Sequence, residues 1–143
     1  MKALGLDLGA SRIGVAVSDS RGVLALPRHT IRRGRERGED HAAVAAAVAE
    51  TGAEVVVVGL PLSLDGRRKA AARAVLEEVG ELRAVLAVAV ETEDERLSTV
   101  TASRALAAAG RSVRGQRPVV DQTAAAVVLQ AWLDRRARAR RTG

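Results

Sequence analysis

Lys2-Ala3-Leu4-Gly5-Leu6-Asp7-Leu8-Gly9 opens the chain and decides how the rest of it is read. Its apolar and glycine residues have the composition of a buried strand, and Asp7 is the exception. An ionised carboxylate among apolar neighbours costs free energy unless something compensates it. A metal ion or a polar pocket is the usual compensation, so Asp7 points to chemistry. The ordinary structural alternative is a carboxylate satisfied by backbone amides of the glycine turn that follows.

Outward from this strand, Ser11-Arg12 marks a tight turn, and Ile13 to Ser18 supplies a second strand. Ser20-Arg21-Gly22 is a turn signal before a third extended segment, Val23 to Ile31. Short connections of this kind predict an antiparallel meander. A basic loop over residues 32–38 leads into an Ala-rich helix over 40–51. Val55-Val56-Val57-Val58 is a continuous apolar run, expected of a strand buried on both faces of a parallel sheet. The loop Gly59 to Gly66 follows, then a helix over 67–82 with Ala72, Val75, Leu76 and Val79 on one face. A second buried-type strand is expected over Ala84 to Val90, a helix over 98–109, a Gly- and Arg-rich loop over 110–117, and a last helix over 121–136. The order predicts an α/β fold: a five-stranded mixed sheet, three antiparallel strands then two parallel ones, flanked by helices. Periodicity alone leaves other mixed α/β topologies open.

At 143 residues the chain is long enough for one domain with a real core. We place the domain at 1–136 and expect residues 137–143, part of a run containing Arg135, Arg136, Arg138, Arg140 and Arg141, to be a frayed, disordered basic tail. Trp132 is the only aromatic residue among Phe, Trp and Tyr. A platform of aromatic side chains that stacks unpaired bases is therefore excluded. The net charge of +6 favours a polyanionic partner without conferring sequence specificity. A general compositional preference for Ala and Arg accounts for it equally well. The absence of Cys rules out disulfides, thiol catalysis and cysteine-ligated zinc. Met1 leads directly into the first strand, with no signal peptide and no apolar run long enough to span a bilayer. A cytoplasmic location without membrane contact is expected.

A two-metal nuclease needs several carboxylates converging on a pair of Mg²⁺ or Mn²⁺ ions. Both ions prefer oxygen ligands, so a few Asp and Glu suffice and no His is required. Asp7 on a central strand, Glu95 just past the last strand and Asp121 at the start of the last helix are placed to meet at one edge of the sheet. Each has an ordinary explanation too. Asp94 and Glu95 suit a helix N-terminus or a solvated acidic loop with Glu91 and Glu93, and Asp121 suits an N-cap. Against capping, Asp121 shares the helical face of Ala125, Val128 and Trp132, which turns it towards the sheet. His29 and His41 lie in polar surroundings in the sequence and receive no role. Gly9-Ala10-Ser11-Arg12-Ile13-Gly14 reads as a hairpin turn or a phosphate approach. Arg67, Arg68 and Lys69 read as a solvated first helical turn or as phosphate ligands.

Taken in order, these motifs resemble the YqgF/RuvX family, described both as pre-16S rRNA nucleases and as Holliday junction resolvases. The matching residues are Gly5-Leu6-Asp7-Leu8-Gly9, Arg12-Ile13-Gly14-Val15-Ala16 with Ser18-Asp19, Val58-Gly59-Leu60-Pro61 with Asp65-Gly66, Asp94-Glu95-Arg96-Leu97-Ser98-Thr99, and Val120-Asp121 with Ala124-Ala125 running into Leu129-Gln130. Departures are mild: Ala10 and Ser98 stand where the family commonly has Thr, and Ser63 where Asn is common. The resemblance implies a ribonuclease H-like fold and metal-dependent phosphodiester hydrolysis. Asp7, Glu95 and Asp121 would be the acidic triad, with Mg²⁺ or Mn²⁺ as cofactor. Arg12, Arg67 and Arg96 are the expected nucleic-acid contacts. Pre-16S rRNA, trimmed at its 5′ end during ribosome biogenesis, is the leading substrate, with room for ribosome-associated partners. A four-way DNA junction is the alternative, and a noncatalytic nucleic-acid-binding module is a further one. The phosphate-binding hairpin of the actin, Hsp70 and sugar-kinase superfamily also resembles Asp7-Leu8-Gly9, but those proteins close two lobes around ATP. A monomer or a weak homodimer fits the chain.

Overall fold

A strand that is apolar on both sides must be covered on both sides, and the chain does this with helices. The computed structural model describes residues 1–61, 70–95 and 117–142. They form β1 (Ala3–Leu8), β2 (Arg12–Ser18), β3 (Ala25–Arg32), α1 (Arg37–Thr51), β4 (Val55–Leu60), α2 (Ala70–Val85), β5 (Ala89–Asp94) and α3 (Arg117–Thr142). The five strands make one sheet in the order β3-β2-β1-β4-β5. β1 pairs antiparallel with β2, and β2 antiparallel with β3. β1 and β4, and β4 and β5, run parallel. β1 is thus the central strand, and its carboxyl end adjoins those of β4 and β5.

Alternation along the strands sorts side chains onto two faces. Leu4, Leu6, Val56 and Val58 join Val44 of α1 and Val75, Val79 and Leu82 of α2 in one core. Ala3, Ala16, Val55 and Val57 join Ala124, Ala125, Val128, Leu129 and Trp132 of α3 in the other. Alanines stand on both sides of the second core, at Ala3 and Ala16 on the strands and Ala124 and Ala125 on the helix, so α3 sits close to the sheet. Gly14 is where this matters most: a Cβ there would overlap the backbone carbonyl of Asp121. α1 ends at Gly52, whose left-handed backbone (φ 71°) returns its N–H to the Val48 carbonyl.

The three antiparallel strands, the valine strand and the first helix lie where the sequence places them, within a few residues at their ends. The fifth strand does not. The apolar run from Ala84 is the last turn of α2, and the strand runs over Ala89–Asp94. Leu82 and Leu86 are buried four residues apart, a helical spacing, and the Leu86 N–H donates to the Leu82 carbonyl at 2.8 Å. Arg83 then ties the two elements by donating to the Val90 carbonyl from both Nε (3.1 Å) and Nη2 (2.9 Å). The last helix is longer than expected at both ends, beginning at Arg117 and continuing to Thr142, so the expected frayed tail from residue 137 is helical through Thr142. Arg and Ala dominate that stretch and are good helix formers. Expectations for the loop at 62–66, the helix at 98–109 and most of the loop at 110–117 lie outside the described residues. Among the described residues, no helix is long and apolar enough to cross a membrane.

Gly14→Ala should lower stability by about 1–3 kcal/mol, because the clash is with backbone rather than with a movable side chain. The expected observation is a lower urea midpoint at unchanged denaturant slope. A wild-type midpoint would show that α3 is not held against the sheet there.

Candidate active site

Asp7 continues the face of Ala3 and Gly5, the side of the sheet covered by α3, and lies opposite Gly14 in the β1–β2 register. It is only 6% exposed. Glu95 follows β5 directly. Its backbone N–H donates to the Leu60 carbonyl at 3.1 Å, which extends the β4–β5 pairing by one bond. Its side chain, 3% exposed, occupies the space a Cβ at Gly59 would need. Gly59 therefore lets a carboxylate lie across the end of β4. Asp121 sits in the second turn of α3, so it is not that helix's N-cap. It is half-buried and accepts a hydrogen bond from Arg12 Nε at 3.0 Å.

Asp7, Glu95 and Asp121, expected from the sequence to meet, all line one cavity of about 640 Å³. The cavity opens at the carboxyl ends of parallel strands, where ligands collect in open α/β sheets. Among the described residues no three His, Asp or Glu side chains converge as a ready-made metal-ligand group. Asp121 is engaged with Arg12 instead. The lining side chains able to ligate a metal are nonetheless all carboxylates, the ligands hard divalent ions take. Arg12, expected to meet a phosphate, has a carboxylate as its first contact. Arg67 and Arg96 lie outside the described residues.

The opposite wall was not anticipated. Arg33 donates to both carboxylate oxygens of Glu78, at 2.7 and 2.9 Å, and to Asp40 at 3.2 Å. Its Nε donates to the Gly9 carbonyl at 2.9 Å. Asp40 also accepts from the Gly34 N–H at 2.7 Å, and Glu78 pairs with His41 Nε2 at 2.8 Å. Asp40, His41 and Glu78 are each at most 4% exposed, so His41 is a buried partner rather than a residue in polar surroundings. Burial opposes ionisation of Glu78, but the hydrogen bonds from Arg33 and His41 outweigh it and hold its pKa below the usual value of 4.5. The Glu78 bonds raise the Arg33 pKa in turn. At the far edge of the sheet, Trp132 donates its indole N–H to Glu91 at 3.1 Å, and Arg135 pairs with Glu93. Burial pushes the Glu93 pKa up despite that pairing.

The chain is similar to known proteins in both sequence and fold. The family model described as "RuvX: Holliday junction resolvase" matches residues 1–135. A protein of Rhodococcus jostii (strain RHA1) named "Putative pre-16S rRNA nuclease" is 48% identical, over 99% of this chain and 82% of its own length. One of the same name from Mycobacterium ulcerans (strain Agy99) is 46% identical, over 94% of this chain and 79% of its own. Thermus thermophilus RuvC, solved with a Holliday junction substrate, superposes with a TM-score of 0.54 at 20% identity, covering 96% of both chains. At that identity the likeness is one of fold, the ribonuclease H-like α/β fold. The class is that of nucleases, hydrolases of phosphodiester bonds. The chain belongs to the RuvX family, also called YqgF.

A group whose folded pKa is depressed contributes stability above its unfolded pKa and loses it as pH falls through the folded value. For Glu78 that loss begins near pH 4.5 and continues below it. Urea midpoints measured from pH 7 down to pH 3 should fall more steeply in the wild type than in Glu78→Gln. Parallel curves would mean that the Glu78 carboxylate does not stabilise the fold.

Proposed function

We propose that this chain is a metal-dependent nuclease that processes the 5′ end of pre-16S rRNA during ribosome biogenesis, in the cytoplasm. The observation that carries the proposal is that Asp7, Glu95 and Asp121, from a central strand, a strand end and a helix, line one cavity. Names carried by relatives at 46–48% identity support the choice of RNA. Asp7, Glu95 and Asp121 would hold Mg²⁺ or Mn²⁺, and bound ions would supply water activation and stabilisation of the departing oxygen.

The chain's own residues do the rest. Asp7 is fixed by its place in the sheet, and Glu95 by its pairing at the end of β4. Arg12 orients Asp121 until a cation competes for that carboxylate. The single Trp132 lies in the core between α3 and the sheet, so the substrate is met through phosphates and duplex shape rather than base stacking. Arg67 and Arg96 are the proposed phosphate contacts, and activity in ribosome-associated assemblies is compatible with this reading. The description of the matched family favours a second reading, the four-way DNA junction. Symmetric incision of two strands would require two such sites and therefore a dimer.

Labelled 16S precursor leader RNA and a synthetic four-way junction, each in Mg²⁺, Mn²⁺ and EDTA, separate the readings. Metal-dependent cleavage of the RNA alone is expected. Asp7→Asn should reduce it by more than the roughly 100-fold that loss of an outer-shell partner costs, with an unchanged circular dichroism spectrum. Turnover retained by a folded Asp7→Asn protein would remove the triad. Paired nicks in the junction alone would shift the assignment to resolution.

A further inference from the structure

The turn between β1 and β2 carries Asp7 on one side and Arg12 on the other, and it is closed by the Gly9 N–H donating to the Arg12 carbonyl at 2.9 Å. Arg33 holds this turn twice. Its backbone N–H donates to the Ser11 carbonyl at 3.0 Å, and its side-chain Nε donates to the Gly9 carbonyl at 2.9 Å. The same guanidinium is locked from behind by both oxygens of Glu78 on α2 and by Asp40 on α1.

We infer that Arg33, braced by Glu78 and Asp40, is the positioning residue of this site: it fixes the Gly9–Arg12 turn and so sets Asp7 and, through Arg12, Asp121. Hydrogen bonds, joined through the backbones of Gly9 and Arg12, lead from Glu78 to Arg33, to the turn, to Arg12 and to Asp121. Arg33 supplies the planar fork this requires. A lysine ammonium is a single point charge and cannot serve two Glu78 oxygens, Asp40 and the Gly9 carbonyl in that geometry. Two nearby arginines are engaged elsewhere. Arg28 pairs with Glu50 at an exposed site, and Arg37 with Glu81 at another.

The inference rests on the nuclease reading only for its activity measurement. Removing Arg33 alone would leave Glu78 buried without its main partner, so the test uses Arg33→Met/Glu78→Gln, in which the glutamine can still bond His41, and Arg33→Lys beside it. Arg28→Met serves as the control. Four quantities are read on cooperatively unfolding proteins: exchange of the Gly9 amide by NMR, Mn²⁺ affinity by calorimetry without substrate, and kcat and KM on the leader RNA. In both Arg33 variants the Gly9 amide should exchange about tenfold faster or more, and Mn²⁺ affinity should fall roughly 10- to 100-fold. The kcat should fall by a similar factor at unchanged KM, while Arg28→Met matches the wild type. Wild-type Gly9 protection and Mn²⁺ affinity in a folded Arg33 variant would overturn the assignment. Altered Gly9 exchange and Mn²⁺ affinity, in a protein whose wild type cuts neither substrate, would uphold the positioning role and remove the nuclease reading.

Discussion

The close seating of α3 on the sheet is the constraint on which the rest of the site depends. It is possible because the contacting residues are small: Ala3 and Ala16 on the strands, Ala124 and Ala125 on the helix, and Gly14 beneath the Asp121 carbonyl. Interiors are close-packed, so a shift of this helix by the width of one methyl group would be felt at every contact along it. Asp121 would move with it. A helix that arrives late in the chain thus completes a cavity begun by the first strand.

Charge is arranged around that cavity in two tiers. The inner tier is Asp7 on β1, Glu95 just past β5 and Asp121 on α3. The outer tier is the partly buried Arg33 with the buried Asp40, Glu78 and His41, joined to one another by hydrogen bonds. Buried ionic groups contribute little net stability against well-packed apolar residues of the same size, and breaking one partner costs far more than the pair provides. Their value here is geometric, since they join three elements distant in sequence, the β1–β2 turn, α1 and α2.

Much of this was legible because single residues contradicted their surroundings. Asp7 inside an apolar strand pointed to the end of the sheet where the cavity lies, and the valine run at 55–58 marked a strand buried on both faces. Glu78 carried the same kind of signal, since it lies between Val75, Val79 and Leu82 on the buried stripe of α2, yet the apolar face read from the sequence, Ala72, Val75, Leu76 and Val79, left it out. Its partner Arg33 stood among six other charged or glycine positions in a loop, and no local pattern sets one arginine apart from the rest. The fifth strand was misplaced because an apolar run ending a helix has the same composition as a buried strand. What separated them was a contact between Leu82 and Leu86 and the polar alternation of an edge strand, Glu91 and Glu93 against Val90.

Trp132 is the chain's only indole, and it lies on the helix that carries Asp121, between Glu91 and the guanidinium of Arg136, whose carbon stands 5.2 Å from the ring centroid. Its emission therefore reports on one layer of the protein. It registers whether α3 is docked and is blind to the layer formed by α1 and α2. The composition that leaves this chain without a base-stacking surface also equips it with a single built-in fluorophore.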